Sequence, residues 1–217
     1  MHRRRRTAIT VSAALLFAAP LLSACGNEAH PGAAAVVGGQ RIDVSALQAG
    51  VKDVRTAQRS SPQSAQLVKD SGQLSRAKLY DLIVSRVVER AADDAGVSAS
   101  RKEVEDGRIA LAQQSGGEEQ LTAMYLQQRG VAPDQVDDVV RRDILVGKLA
   151  ESIGAANTPD GQQRLNAAFT AAAKSLDIDV NPRFGSWNDQ KLELGDYKAP
   201  WITQVTKAAQ PAEPDAV

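Results

Sequence analysis

The sequence predicts a mainly α-helical domain, a bundle of about six helices with a small β element. In that β element, a strand near residues 34–42 pairs with a strand near 176–181. Two observations favour this class: apolar residues recur with helical spacing between the two strand-like segments, and aromatic residues make up only 4% of the chain. Because an isolated short strand leaves its backbone groups unpaired, we expect the two strands to pair with each other. The ends of the helical region would then meet.

The charge and cysteine counts exclude several classes of protein. The 217 residues contain 26 Lys and Arg against 26 Asp and Glu. This zero net charge argues against a general nucleic-acid binder, which needs a basic excess to neutralise phosphates. A single cysteine excludes an internal disulfide framework and a multi-cysteine zinc site. We therefore expect no nucleic-acid partner, no cofactor and no metal site.

The first 24 residues are typical of a signal peptide. Residues 3–6 are four arginines, and residues 7–24 are uncharged but too short and alanine-rich for a comfortable membrane span. They lead into residues 22–25, Leu-Ser-Ala-Cys, which resemble the lipobox of bacterial lipoproteins. The resemblance implies cleavage between Ala24 and Cys25 and attachment of acyl chains such as palmitate at Cys25. The alternative is an ordinary secretory signal peptide in which the cysteine occurs by chance. Export by the twin-arginine route is disfavoured, because the Phe-Leu-Lys expected after the arginines is missing.

Cleavage at this position leaves a mature chain of 193 residues beginning at Cys25. Loss of the four arginines leaves 22 basic against 26 acidic residues, a net charge of −4. Multiple acyl chains give stable anchoring, so we expect the protein at the cell membrane, on its extracytoplasmic face. The predicted organisation is a signal peptide over 1–24, a flexible tether over 25–33, a folded domain over 34–190 and a partly disordered C-terminal extension over 191–217.

The folded domain offers little for enzyme chemistry. His2 leaves with the signal peptide and His30 lies in the tether, so no histidine remains for a catalytic triad or a histidine zinc site. A carboxylate pair of the glycosidase kind is conceivable, but adjacent acids on helices are typical of solvated faces. These adjacent acids are Asp93-Asp94, Glu118-Glu119 and Asp137-Asp138. We predict that the protein is not an enzyme and has no catalytic residue.

The domain begins with a predicted β-hairpin. An apolar run over residues 33–37, two glycines and an extended piece over 40–42 form the pattern of two strands joined by a tight turn. Asp43 is a good N-cap for the first helix, which ends near residue 60. Residues 60–74 have no clear period and are predicted to form a loop with room for one helical turn.

Residues 75–95 form the strongest predicted helix. Apolar residues recur at every fourth position over a wide arc, which indicates a central helix covered on more than one side. Gly96 followed by Val97 is a typical helix end, with a left-handed glycine and an apolar residue after it. Ser100 and Glu103 then form a capping box that opens the next helix.

Three more helices follow the glycine pair at 116–117. One covers residues 118–129 and ends in a second Gly-Val pair, a long one begins near Pro133, and the last begins at Thr158-Pro159 and continues to about 175. The two Gly-Val pairs are 34 residues apart, the period of a tetratricopeptide repeat, but two units are too few for an array.

The pattern changes to period two after the last helix. Residues 176–180 alternate between apolar and acidic side chains, which predicts a half-buried strand. A turn-rich segment follows, in which Phe184 and Trp187 are interpreted as packed lids. Beyond about residue 198 the chain is rich in proline and alanine and is predicted to be a loose tail, with Trp201-Ile202 as a candidate docking point.

Five segments of the domain together match the motifs of a known family in order and spacing. They are residues 35–43, 95–104, 121–131, 140–149 and 179–187. Over about residues 34–188 they resemble the core of the SurA-like and PrsA-like extracytoplasmic chaperones. The first segment is similar to that family's opening V-x-V-N-G-x-x-I-T, with Gly38 where the family usually has Asn or Asp.

The resemblance implies the chaperone core without the parvulin prolyl isomerase domain. The family commonly carries that domain between its long helix and its last core helix. Only residues 152–158 lie there in this sequence, which is far too short for a domain. The parvulin active site also resembles a histidine-rich cluster, and the folded domain has no histidine.

The function that this resemblance implies is that of a membrane-anchored, ATP-independent holdase or foldase helper without isomerase activity. Its partners would be unfolded or partly folded secreted proteins, accepted weakly on an exposed apolar surface. Met124, Tyr125 and Leu126 are candidates for this surface because Met and Tyr adapt to varied partners, although core packing is the ordinary role of residues at this spacing. The alternative is a non-chaperone lipoprotein that scaffolds one envelope partner. The oligomeric state is left open.

Overall fold

The computed structural model describes residues 31–69 and 73–197, apart from the side chains of residues 68 and 69. The predicted signal peptide, Ala24, Cys25, His30 and the Trp201-Ile202 pair lie outside the described residues. Within the described ranges there are seven α-helices, one 3-10 turn and five short strands. In chain order these are β1 Ala33–Val37, β2 Gln40–Asp43, α1 Val44–Ser60, α2 Ser64–Lys69, α3 Leu74–Asp94, α4 Arg101–Ser115, α5 Glu118–Arg129, the 3-10 turn Pro133–Gln135, α6 Val136–Ser152, α7 Gly161–Ser175, β3 Asp179–Val180, β4 Ser186–Asn188 and β5 Glu193–Gly195.

A three-stranded antiparallel sheet brings together the two ends of the helical region. β1 is the central strand, and its Ala35 faces Ile42 of β2 on one side and Val180 of β3 on the other. Gly38 and Gly39 turn the chain between β1 and β2 with φ angles of 59° and 74°, a left-handed geometry that glycine adopts readily. The predicted hairpin and the predicted pairing of the two distant strands are both confirmed.

The strand predicted near 176–181 is shorter in the structure. Asp177 has a φ of 44°, in the left-handed region, and this interrupts the extended backbone, so that β3 contains only Asp179–Val180. The segment before the interruption remains attached to the hairpin, because Gly38 N donates to Leu176 O at 2.6 Å.

Helix α3 lies at the centre of the main hydrophobic core, as its wide apolar arc predicts. It packs against α1, α6, α7 and β1. Leu79 and Ile83 of α3 are fully buried. A second apolar cluster lies among α4, α5 and α6, with Leu121 and Val136 completely covered. The described helices therefore form two neighbouring layers, and α6 contacts both α3 and α4.

Most of the predicted helix ends are confirmed by backbone geometry. Gly96 and Gly130 end α3 and α5 in left-handed conformations, with φ of 67° and 61°. The capping box is complete: Glu103 N donates to Ser100 Oγ at 3.2 Å, and Ser100 N donates to Glu103 Oε2 at 2.8 Å.

The predicted start of the last helix at Thr158-Pro159 is wrong. Helix α7 begins at Gly161, and Thr158 belongs to the preceding turn, where its Oγ1 donates to Ala155 O at 3.2 Å. The turn passes so close to the helix that a Cβ on Gly161 would lie 2.0 Å from Ala155 O. This contact between α7 and the turn that follows α6 places the helix start later than the capping signal indicates.

Asp43 stands at the predicted N-cap position of α1 but makes no side-chain cap bond. Its carboxylate instead lies 3.0 Å from the guanidinium of Arg41. The first amide of the helix, Val44 N, donates to Gly32 O at 2.8 Å. The carbonyl of Gly32, just before β1, thus accepts the hydrogen bond that a side-chain N-cap would otherwise accept.

One element is longer than the single helical turn for which the prediction left room, and another has no counterpart in the sequence-based prediction. Helix α2 occupies part of the predicted loop over 60–74. The second β-hairpin pairs β4 with β5, and β5 lies in the segment assigned to the C-terminal extension. Arg76 of α3 holds this hairpin, because it donates to Leu194 O at 3.1 Å and pairs with Asp196 at 2.5 Å.

Candidate functional site

A surface pocket of about 210 Å³ lies between α5 and α6. Met124, Tyr125, Gln128 and Arg129 of α5 line it together with Asp143 of α6. Tyr125 is 6% exposed and belongs to the second apolar cluster, and the half-buried Met124 packs against the same cluster. The pocket therefore has an apolar floor attached to the core and a polar rim.

The rim of the pocket carries one weak ion pair. Arg129 Nη1 lies 3.7 Å from Asp143 Oδ2, and both side chains are 51% exposed. The Arg129 guanidinium also lies 5.4 Å from the centre of the Tyr125 ring. Exposed ion pairs and cation–π contacts of this kind each contribute only about 1 kcal/mol or less, so a bound chain could replace either contact at low cost.

The helices on both sides of the pocket are also joined by ion pairs at the start of α5. Arg108 of α4 pairs with Glu118 of α5 and with Asp137 of α6, the latter at 2.7 Å. The two carboxylates raise the pKa of the Arg108 guanidinium above its usual value, so it stays charged. One side chain therefore joins the three helices that surround the second apolar cluster.

The beginning of α6 is tied to the main core by a partly buried polar contact. Lys78 Nζ donates to Gln135 Oε1 at 2.6 Å, and Gln135 Nε2 donates to Gly50 O at 3.3 Å. Burial lowers the pKa of the Lys78 ammonium, and the nearby Asp81 partly opposes this. The contact links α1, α3 and α6, which together support the helix that carries Asp143.

The structure places two of the three predicted site residues at the pocket. Met124 and Tyr125 line it, whereas Leu126 is buried in the main core. Sequence reasoning missed Arg129 and Asp143. Arg129 lies four residues after Tyr125 on one helix, and this spacing is a signal that could have identified Arg129. Asp143 comes from a different helix, and no local spacing indicates it.

A second aromatic contact confirms the interpretation of Phe184 and Trp187 as packed lids. Both are partly buried against the main core. The Trp187 ring lies 6.2 Å from the ring of Tyr80, which is 37% exposed. These rings cover the end of the core beside the second hairpin.

The described residues carry no arrangement that would hold a metal ion, since none of their His, Cys, Asp and Glu side chains form a group of three suited to it. None of the helices within 31–69 and 73–197 combines the length and the apolar character needed to cross a bilayer. A shallow apolar floor with an exchangeable charged rim is suited to weak binding of a polypeptide side chain.

The described residues form a mainly helical domain closed by a small sheet, with a surface pocket between α5 and α6. The match to a protein family agrees: residues 1–150 of the chain match the SurA-like N-terminal domain. The chain belongs to this family, whose domains are chaperone-type domains of extracytoplasmic proteins. Searches of the curated proteins and of the solved structures found no match. The family match ends within α6, so α7 and the strand that closes the sheet lie beyond the matched residues.

Proposed function

We propose that this protein is a membrane-anchored extracytoplasmic chaperone that binds unfolded or partly folded secreted and envelope proteins without ATP. It has no isomerase activity in this proposal. The observation that carries the proposal is the pocket of Met124, Tyr125, Arg129 and Asp143 in a chain that belongs to the SurA-like N-terminal domain family.

The size of the pocket favours a polypeptide over a small molecule. Small-molecule sites usually enclose about 300–1,000 Å³, whereas this pocket has about 210 Å³. One apolar side chain of an extended client fits such a volume. Arg129 and Asp143, which lie next to each other on the rim, then offer a donor and an acceptor for the client backbone. Binding through one pocket is weak, as a holdase that must release its client requires.

The membrane anchor rests on the sequence around Cys25. The proposed organisation has a signal peptide over 1–24, lipid on Cys25, a short tether that meets the fold at Gly32, a chaperone domain that contains β1 to β5, and an extension formed by the residues that follow. The lipid would hold the domain at the outer face of the cell membrane, where exported chains emerge unfolded.

Aggregation suppression tests the chaperone function. The mature chain with Cys25→Ser is mixed with several unrelated unfolding proteins in the absence of nucleotide, and light scattering is followed. We expect suppression of all of them at near-stoichiometric amounts. Met124→Glu should reduce the suppression at least twofold, because a carboxylate on the pocket floor opposes burial of an apolar side chain.

Ile109→Glu is the matched control, because Ile109 is 50% exposed and does not line the pocket. It should suppress aggregation as well as the parent chain does. Failure with every client would contradict the general chaperone function. Crosslinking in cells would then test the alternative function, because a scaffold for one envelope partner gives a single crosslinked product. A prolyl isomerase assay on the same protein is expected to show no activity.

A further inference from the structure

The outer face of α1 concentrates positive charge that has no partner. Most described lysines and arginines make an ion pair or a hydrogen bond. Among the side chains described in 31–67 and 73–197, those that make neither are Lys52, Arg55, Arg101, Lys174 and Arg183, the last of which lies over the ring of Phe184. Arg59 reaches only the hydroxyl of Thr56, at 3.4 Å. Three of these weakly engaged cations therefore belong to a single helix.

The three cations of α1 form one stripe. At about 100° per residue, Lys52, Arg55 and Arg59 lie within an arc of about 60° on the helix surface. All three are exposed. Asp53, the one acid of α1, is turned away from each of them by about 100° or more. We call Lys52, Arg55 and Arg59 the α1 basic stripe.

The α1 basic stripe lies near the point where the proposed tether meets the fold. Val44 N, at the start of α1, donates to Gly32 O at 2.8 Å. At 1.5 Å per residue, Lys52 and Arg59 lie about 12 Å and about 22 Å along the helix from Val44. Only residues 26–30 separate Cys25 from Pro31, so the lipidated cysteine can be at most about 20 Å from Pro31.

We propose that the α1 basic stripe contacts the anionic phospholipid headgroups of the membrane that holds the lipid on Cys25. This inference rests on the anchoring part of the proposed function. The mature chain carries a net charge of −4, so an anionic surface repels it as a whole and favours the face on which several unpaired cations lie together. Contact through α1 would fix how the anchored domain stands on the membrane.

Three cations orient a domain rather than recruit it. Clusters that bind anionic membranes by themselves usually contain about four to eight Lys and Arg. An acylated protein is already confined to the surface, so its second contact is intramolecular and needs little intrinsic affinity. The stripe is therefore expected to act only in the lipidated protein.

Headgroup quenching tests this orientation. The lipidated chain has its only cysteine acylated, so Gln48→Cys introduces a single free thiol on α1, four residues before Lys52, for a fluorescent label. The protein is placed in phosphatidylcholine vesicles with or without phosphatidylglycerol, each containing a lipid with a quencher on its headgroup. We expect at least fivefold stronger quenching with phosphatidylglycerol, and loss of the difference in 1 M salt, where the Debye length is about 3 Å.

Two charge-matched variants separate the stripe from net charge. Lys52→Gln/Arg55→Gln removes one Lys and one Arg from the stripe and should lower the quenching at least fivefold on anionic vesicles. Arg101→Gln/Lys174→Gln removes the same charge from unpaired cations elsewhere and should leave it unchanged. A label at Gln113→Cys on α4 should be quenched equally on both kinds of vesicle.

Equal quenching of Gln48→Cys on neutral and anionic vesicles overturns the proposal, as does an equal effect of the two double variants. Binding of the unlipidated chain to polyglutamate, lost in Lys52→Gln/Arg55→Gln, together with quenching independent of lipid charge, would assign the stripe to acidic peptides instead.

The membrane fraction of cells separates this inference from anchoring. If the parent chain and Cys25→Ser are both soluble, anchoring fails and the inference fails with it. If only Cys25→Ser is soluble and quenching is absent, anchoring stands and the inference fails.

Discussion

Asn181 donates from its side-chain Nδ2 to the backbone carbonyl of Ala33 at 3.1 Å, although the two residues are 148 positions apart in the chain. Its backbone amide also donates to Ala34 O at 3.0 Å, and its Oδ1 accepts from Arg183 N at 3.2 Å. One side chain therefore attaches the segment after β3 to the first strand and shapes the turn that follows. The closure of the domain depends on this contact as well as on the short β3 pairing.

Asn181→Ala should lower the free energy of unfolding by about 1–2 kcal/mol, because it removes two hydrogen bonds and leaves their backbone partners unsatisfied. Urea denaturation followed by circular dichroism measures the change. Asn166→Ala is the control, since Asn166 is exposed on α7 and bonds only to Gln162. Its effect should stay below about 0.5 kcal/mol, and equal losses in the two variants would contradict this account of Asn181.

The two glycines of the β1–β2 turn should respond differently to alanine. Both have left-handed backbones, which cost a residue with a Cβ about 1–2 kcal/mol. A Cβ on Gly38 would also lie 2.7 Å from Leu176 Cδ2, whereas a Cβ on Gly39 meets nothing within 4 Å. Gly38→Ala should therefore destabilise the protein by about 1 kcal/mol more than Gly39→Ala. Thermal unfolding of the pair checks this, and the reverse order would show that Leu176 does not pack on the turn.

The glycines within α4 and α6 provide a second contrast. A Cβ on Gly147 has open space around it, so Gly147→Ala should raise the free energy of unfolding by about 0.5–1 kcal/mol through the higher helix propensity of alanine. A Cβ on Gly107 would lie 3.1 Å from Val140 Cγ1 and 3.4 Å from Ile144 Cδ1. Crowding between α4 and α6 should cancel the gain, leaving Gly107→Ala no more stable than the parent chain. Comparable stabilisation by both substitutions would mean that the helices separate easily at Gly107.

Glu103 should make stability depend on acid pH. The hydrogen bond from Lys148, followed by those from Ser100, lowers the pKa of the Glu103 carboxyl to about 2 from an ordinary value of 4.5. Because the folded-state pKa is the lower one, the ionised carboxylate stabilises the fold above pH 4.5, and this contribution is lost as the pH falls toward 2. The difference in urea midpoint between the parent chain and Glu103→Gln should therefore be largest near pH 7 and shrink below pH 4.5. A difference that stays constant down to pH 3 would rule out the lowered pKa.

The helix ends and the first hairpin were predictable because their signals act over a few residues. A left-handed glycine at 96 or 130 ends a helix through its own backbone freedom, and Ser100 caps α4 through a residue three positions away. Fully local bonds of this kind form in much the same way in any surrounding fold. The family resemblance likewise depended on motifs of this short range, and the family match confirms it.

The features that prediction missed depend on contacts between different structural elements, even where the residues are close in the chain. Asp43 is a residue type that often caps helices, but its carboxylate pairs with Arg41. Gly32 O accepts the hydrogen bond from the first amide of α1 instead. Helix α7 begins later than predicted because Ala155 O, in the turn after α6, lies against Gly161. The pocket rim requires Arg129 and Asp143, which come together only because α5 packs beside α6.

The helical class, the hairpin, most helix boundaries and the resemblance to the family follow from the sequence alone, because periodicity and capping are properties of short segments. The tertiary structure decided which predicted site residues face a pocket. It buried Leu126 in the core, left Met124 at the surface and placed Asp143 opposite Arg129. Burial and charge pairing are set by the packing of elements against one another, so adjacent residues on one helix can face a core, a pocket or solvent depending on what packs beside them.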